Sequence, residues 1–110
     1  MGVVYRFANV ILMWAEAVLR GGTGADAQAY LDAIRARVGL ESITASLDNI
    51  YAERARELWL EGTRRTDMIR FGTFLQSKQL KPLESDPKYL LFPIPADGLI
   101  NPNITQNPGY

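Results

Sequence analysis

Residues 4–20 read VYRFANVILMWAEAVLR, an almost continuously apolar stretch that decides the fold class. At about 100° per residue, one face of this stretch has the i, i+3, i+4, i+7 spacing of a buried helix side. That face consists of Val4, Phe7, Ala8, Ile11, Ala15, Val18 and Leu19, and the opposite face carries Arg6, Asn9, Glu16 and Arg20. Leu12 and Trp14 widen the apolar arc, so we expect the helix to pack on two neighbours. Gly21 and Gly22 then supply the left-handed conformation that ends a helix.

Further helices follow this first one along the chain. The periodicity predicts them over 25–38, 46–61 and 63–76. Ser46 is a good N-cap for the third helix, and Gly39 and Gly62 stand where the second and third helices end. The first two helices therefore form an antiparallel hairpin with the size of one tetratricopeptide-type unit.

The last third of the chain has a different composition. All six prolines fall within 77–110, where the helical period is lost. The run from Tyr89 to Pro95 is apolar, and its two prolines allow only an extended, edge-like or polyproline conformation. The sequence thus predicts one mostly α-helical domain over 1–110, helical in 1–76, with a Pro-rich irregular strap in 77–110. This strap would lie over the helices or over a part of the protein outside the chain.

Composition excludes several kinds of chemistry. The 110 residues include no Cys and no His, which rules out a thiolate nucleophile, a Ser-His-Asp triad, a Cys/His zinc site and disulfides. Twelve basic residues balance twelve acidic ones, which argues against a nucleic-acid partner. The apolar stretch over 3–19 contains Arg6, Asn9 and Glu16 and is too short for a bilayer span.

Charged residues lie where the third helix should bury its apolar face. They are Arg54 and Glu61 inside the apolar arc, Glu57 at its edge, and Arg64, Arg65, Asp67 and Arg70 just beyond Gly62. One interpretation is a glycosidase-like group of carboxylates, Glu57, Glu61 and Asp67. The other is a structural charge network in which Arg54, Arg64 and Arg65 bind those carboxylates and fix the helix to the next one. Neighbouring arginines lower a carboxyl's pKa whereas a general acid needs a raised one, so we favour the structural network, with no catalytic residue, metal or cofactor.

Two tryptophans offer a second choice between function and packing. Trp14 and Trp59 could stack on sugar rings, but tryptophans within helical patterns usually serve as packing anchors. We therefore expect both indoles to pack against other helices.

Several blocks of sequence, in this order, resemble the C-terminal region of the SusD/RagB family. They are residues 5–17, 34–40, 53–67, 92–95, 101–102 and 106–110, and together they cover nearly the whole chain. Two positions depart from the family pattern, since Asn9 and Gly98 stand where the family tends to carry Glu.

This resemblance implies a piece of a longer outer-membrane lipoprotein that captures glycans or other nutrients on the surface of Gram-negative bacteria. It further implies a tetratricopeptide-like helical fold and a TonB-dependent transporter of the SusC type as partner. The lipid-anchoring Cys would lie outside this chain. The family's glycan-contacting residues generally come from loops outside this portion, so the resemblance assigns no ligand-binding residue here.

A free-standing tetratricopeptide-like adaptor that binds a peptide is the alternative to a nutrient-binding protein. Such an array should show at least three repeats, whereas the sequence shows one hairpin. We also expect the isolated chain to self-associate, because apolar faces intended for absent helices would be exposed.

Overall fold

The computed structural model describes residues 5–110, which are mostly helical. The helices are α1 (Phe7–Leu19), α2 (Ala27–Ala36), α3 (Leu47–Glu57) and α4 (Arg64–Arg70), followed by 3₁₀ helices at Pro87–Leu90 and Ala96–Ile100. Within these described residues there is no β-strand, and a lone bridge joins Lys78 and Lys81. The mostly α-helical prediction is confirmed. Val4, predicted on the buried face of the first helix, lies outside the described residues.

The helix ends follow from local chemistry. The Asp26 side chain accepts hydrogen bonds from the backbone N–H groups of Gln28 and Ala29, which starts α2 at Ala27 rather than at residue 25. Ser46 caps α3 as predicted, accepting from the N–H of Asn49 at 3.1 Å. At the end of α1, Gly21 adopts a φ of 105°, the left-handed conformation expected there.

The third and fourth helices are shorter than predicted. α3 ends at Glu57 rather than at residue 61, because Leu58 leaves the helical conformation and Leu60 has a positive φ of 62°. α4 ends at Arg70 rather than at residue 76. Gly72 there has a φ of 72°, and the N–H of Thr73 bonds back to the carbonyl of Met68 at 2.8 Å, a closure that stops the helix.

The chain forms two compact units, one ending at Asp67 and the other running from Met68 to Tyr110. In the first unit, α1 packs against both α2 and α3. The core side chains there are Leu12, Ala15, Ala27, Leu31, Ile34 and Ile50. The predicted hairpin is therefore present, and α3 closes the core beside it.

The predicted buried face of α1 is partly right, since Ala15 lies in the core and Ala8, Ile11, Val18 and Leu19 pack against it. Asn9 and Glu16, placed on the solvent face by the periodicity, are only 3% and 4% exposed, whereas Phe7 is 76% exposed. The helix is apolar on most sides, so the spacing of its apolar residues does not select one face. Glu16 can be buried because its carboxylate accepts a hydrogen bond from Nε of Arg20, one turn later, at 2.8 Å.

The second unit is held together by hydrogen bonds rather than by a core. Among residues 68–110, all of which the structure describes, none is buried. The amide of Gln106 exchanges two hydrogen bonds with the backbone of Ile94, at 2.8 and 2.9 Å. Tyr110 donates from its hydroxyl to the carbonyl of Leu91 at 3.0 Å. The last residues of the chain thereby hold the Phe-Pro-Ile-Pro segment, 92–95.

Part of the apolar run from Tyr89 to Pro95 is not extended as predicted. Tyr89 and Leu90 belong to the first 3₁₀ helix. The Asp86 side chain accepts a hydrogen bond from the N–H of Lys88 at 2.8 Å, and Pro87 is suited to the first helical turn.

None of the helices within residues 5–110 has both the length and the apolar composition that a membrane span requires.

Candidate functional site: the charged residues around α3

The most deeply buried ion pair joins α3 to α4. Arg54 donates from Nε to Oδ2 of Asp67 at 2.9 Å, and their side chains are only 3% and 2% exposed. A pair in this environment is costly to break from one side, because the surviving charge stays buried. The Nη1 atom of Arg54 is buried without a hydrogen-bond partner.

A second group of charges is organised by Arg6, which stands directly before α1. Its Nε donates to Oε1 of Glu61 at 2.8 Å, and its Nη1 donates to Oε1 of Glu57 at 2.9 Å. Its Nη2 also donates to the backbone carbonyl of Glu57. The hydrogen bond to Glu61, followed by the one to Glu57, raises the pKa of Arg6 above its usual value. Through these hydrogen bonds Arg6 ties the start of α1 to the end of α3.

Glu57 and Glu53 on α3 are also bound by arginines from the end of α2. Nη2 of Arg37 donates to both carboxylate oxygens of Glu57 at 2.8 Å. Arg35 donates from Nη1 to Oε2 of Glu53 at 2.9 Å, and Arg56 donates to the same oxygen at 2.8 Å. The carboxylates of α3 thus connect this helix to both helices of the hairpin.

Sequence reasoning missed five members of this network, which are Arg6, Arg35, Arg37, Glu53 and Arg56. The periodicity assigns Arg6 to the solvent face of the first helix. Its partners Glu57 and Glu61 are 51 and 55 residues away in the sequence, so the pairing could not be read from nearby positions. An arginine just outside a helix carries no periodic signal. The pairing arises only when the hairpin and α3 are assembled.

Arg64 was predicted to bind a carboxylate, but it contacts Tyr51 instead. Its guanidinium lies over the ring of Tyr51, 4.1 Å from the centroid, and Nη1 is 3.5 Å from the backbone oxygen of the same residue. A cation over an aromatic face is a favourable contact that leaves the guanidinium at the surface. Of the residues predicted for the network, the structure brings Arg54 together with Asp67, and Glu57 together with Glu61 through Arg6.

The tryptophans differ from each other. Trp14 is half exposed and packs against Tyr30 with ring centroids 5.4 Å apart. Trp59 is 74% exposed, so the predicted packing of its indole is absent within the described part of the chain.

The geometry favours a structural role for these carboxylates over acid–base catalysis. Glu57, Glu61 and Asp67 each accept a hydrogen bond from a guanidinium of a distant segment, so these carboxylates join parts of the fold. Across residues 5–110, no group of three or more acidic, Cys or His side chains is arranged to hold a metal ion.

Comparison with known proteins identifies the family. The sequence model of the SusD family matches residues 2–110. This chain belongs to the SusD family. The starch-binding protein SusD of Bacteroides thetaiotaomicron is 33% identical over 118 residues, a match that covers 97% of this chain and 21% of SusD.

Solved structures of SusD-like proteins share the fold. A laminarin-binding SusD-like protein is 45% identical and superimposes with a TM-score of 0.82 over 97% of this chain and 23% of its own. Surface glycan-binding protein A from B. thetaiotaomicron, in complex with laminarihexaose, is 30% identical with a TM-score of 0.84, covering 94% of this chain and 24% of its own. The chain therefore spans between a fifth and a quarter of the SusD-like proteins that it matches.

Proposed function

We propose that this chain is the non-catalytic C-terminal portion of a SusD-like glycan-binding lipoprotein on the bacterial outer membrane. In this proposal the whole protein captures a glycan or another nutrient and passes it to a TonB-dependent transporter of the SusC type. The observation that carries the proposal is the match to a laminarin-binding SusD-like structure over 97% of the chain at 45% identity. Family membership also favours this function over a free-standing tetratricopeptide-like adaptor.

The contribution of the chain itself would be a scaffold. Its charged side chains are bound to each other, with Arg54 on Asp67 and Arg6 on Glu57 and Glu61, rather than directed at a ligand. Ion pairs of this kind hold separate segments together, because each guanidinium donates to a carboxylate far away in the sequence. The scaffold would hold glycan-contacting loops that lie elsewhere in the protein.

Glycan binding is tested on the protein encoded by the full reading frame that contains this chain. Affinity electrophoresis in gels containing laminarin, starch or cellulose should show retardation by at least one of these glucans. The same glycans incubated with the protein should release no reducing ends. Mobility that none of these glycans or other nutrient polysaccharides changes, or steady release of reducing ends, would contradict the proposal.

Localisation and the transporter partner need a separate experiment. Protease added to intact cells should digest the protein, and solubilised outer membranes should yield it together with a TonB-dependent transporter. A matched sample, from cells in which the reading frame lacks its lipid-anchoring Cys, should lose the protein from the membrane. Recovery of the wild-type protein from the cytoplasm alone would contradict the outer-membrane assignment.

A further inference from the structure

The chain turns after α4, and five consecutive backbone carbonyls in this turn, those of residues 72–76, accept hydrogen bonds from side chains. The ammonium of Lys78 supplies three of these bonds, and the ammonium of Lys81 supplies another. Carbonyl groups near the end of a helix lack partners within the helix, and a cation close to them is favourable. The turn is therefore organised around positive charge.

Lys78 is at the centre of this arrangement. Its Nζ donates to the carbonyl oxygen of Thr73 at 2.8 Å and to those of Phe74 and Gln76 at 3.3 Å. An ammonium has three protons to donate and no acceptor atom, so three carbonyls match its full capacity. Among residues 5–110 this ammonium has no carboxylate partner, and its ligands are backbone oxygens.

Three carbonyl oxygens that converge on one point are a ligand set for a monovalent cation. Carbonyl oxygens replace the hydration shell of K⁺ in protein sites. Ca²⁺ sites normally include carboxylates, and Mg²⁺ usually retains several waters. An ammonium ion and K⁺ have nearly the same size, so the point that Nζ of Lys78 occupies, 2.8 to 3.3 Å from the three oxygens, also suits K⁺.

The loop that contains Lys78 is closed by backbone hydrogen bonds. Lys78 and Lys81 exchange two such bonds, at 2.7 and 2.9 Å. The N–H of Ser85 bonds to the carbonyl of Leu75 at 2.9 Å. No residue of the second unit is buried, so apolar packing contributes little to the order of this loop. The cation among the carbonyls is therefore a main source of that order.

We propose that the carbonyl oxygens of Thr73, Phe74 and Gln76 form a monovalent-cation site, here called the Lys78 site, in which the ammonium of Lys78 is the resident cation. A tethered ammonium has a far higher effective concentration than a salt ion, so it excludes free cations from the native protein. Removal of the side chain opens the site to a free cation of the size of K⁺. The proposal does not depend on the proposed function.

Substitution of Lys78 in the protein from the full reading frame tests the proposal. Lys78→Ala leaves the three carbonyls in place without their cation. Amide hydrogen exchange of residues 75–85 is followed by mass spectrometry in potassium chloride and in tetramethylammonium chloride of equal ionic strength. Tetramethylammonium is too large for the site and has no N–H group, so in this salt the variant should exchange several-fold faster than the wild type. Increasing potassium should slow the exchange of the variant towards the wild-type rate.

The wild-type protein should exchange equally in both salts, because its own ammonium occupies the Lys78 site. Two outcomes with Lys78→Ala would overturn the proposal. Exchange as slow as in the wild type in tetramethylammonium chloride would show that the loop needs no cation. Fast exchange that potassium does not slow would show that the three carbonyls do not bind a free cation.

Lys88→Ala is the matched control, because it removes the same charge from the same unit. Nζ of Lys88 lies over the rings of Tyr89 and Tyr110, 5.3 Å from each centroid, and this variant should not respond to potassium at residues 75–85. An equal response of both variants would be a general salt effect and would overturn the proposal. Far-UV circular dichroism of Lys78→Ala should match the wild type, since the core belongs to the first unit. A loss of helix would overturn the proposal, which confines the effect to the loop.

Discussion

The two units of this chain achieve order by different means. In the unit that ends at Asp67, Leu12, Leu31 and Ile50 are completely buried, and so is the ion pair of Arg54 with Asp67. In the unit from Met68 to Tyr110 no residue is buried, and side chains bind backbone groups instead. Burial of apolar surface is the main term that offsets conformational entropy, so the first unit has a source of stability that the second lacks. Hydrogen bonds alone can specify the shape of the second unit, but they add little free energy.

The largest effect should come from breaking the buried ion pair. Asp67→Ala leaves the guanidinium of Arg54 buried without its carboxylate, which we expect to reduce the free energy of unfolding by about 3–5 kcal/mol. Urea unfolding of the chain followed by circular dichroism measures this change. Glu84→Ala, at an exposed carboxylate, is the matched control and should change stability by less than about 0.5 kcal/mol. Equal effects of the two substitutions would contradict the assigned importance of the pair.

A pair of core and surface substitutions tests the contrast between the units. Leu12→Ala removes a completely buried side chain and should cost about 2–5 kcal/mol. Phe92→Ala removes a side chain that is 68% exposed and should stay within about 0.5 kcal/mol. Both are measured by urea unfolding of the chain. A large loss of unfolding free energy with Phe92→Ala would show that an apolar contact of Phe92 stabilises the second unit despite the exposure of this side chain.

The hydrogen bonds of Gln106 test how the second unit is stabilised. Gln106→Ala removes two hydrogen bonds to the backbone of Ile94, and at about 1 kcal/mol each this should destabilise the second unit by about 2 kcal/mol. The measurement is amide hydrogen exchange at Ile94, whose protection should fall. The nearby Asn103→Ala is the control, because the Asn103 side chain accepts no bond from Ile94. Unchanged exchange at Ile94 would mean that the Gln106 amide does not hold segment 92–95.

A smaller effect is expected at Glu61 than its place in the sequence pattern predicts. The pattern puts Glu61 on the buried face of the third helix, so that Glu61→Ala would orphan a buried arginine at a cost of several kcal/mol. In the structure its partner is Arg6, whose side chain is 33% exposed, and exposed pairs contribute about 0–1 kcal/mol. Thermal unfolding of Glu61→Ala beside Asp67→Ala should show the smaller shift for Glu61→Ala. A cost as large as that of Asp67→Ala would instead support the sequence pattern, in which Glu61 pairs with a buried arginine.

We still predict that the isolated chain self-associates through its first unit. This prediction concerns the oligomeric state and not the free energy of unfolding. The outer side of α1 exposes Phe7, Val10, Met13 and Trp14 to solvent. An apolar helix face of this extent favours contact with a second copy when nothing else covers it. Sedimentation velocity of the isolated chain should show mass increasing with concentration, and Phe7→Glu with Met13→Lys should abolish the increase. A monomer at all concentrations would contradict the prediction.

Local chemistry explains why much of the fold could be predicted. Ser46 caps α3, Gly21 ends α1, and the first two helices form the predicted hairpin, because caps and glycine turns depend on residues within one helical turn of each other. The fourth helix was predicted too long because Phe74 and Leu75 continue an apolar pattern past Gly72. The backbone closure from Thr73 to Met68 ends the helix regardless of that pattern.

The charged residues around α3 were only partly predictable, because some of the partners are far apart in the sequence. The charges on α3 and beyond it could be recognised from residues 53–67 as misplaced on an apolar face. Their partners could not, because Arg6, Arg35 and Arg37 lie at the ends of the first two helices, 18 to 55 residues away in sequence.

The helices, the Ser46 cap and the hairpin follow from short-range spacing, and the resemblance to the SusD/RagB family follows from motifs read in order. Only the assembled fold shows that Asn9 and Glu16 of α1 are buried beside the predicted apolar face, and which arginine meets which carboxylate. A helix that is apolar on most sides fits a core in several orientations. Packing on both α2 and α3 selects the orientation that buries Asn9 and Glu16 and places Arg6 between Glu57 and Glu61.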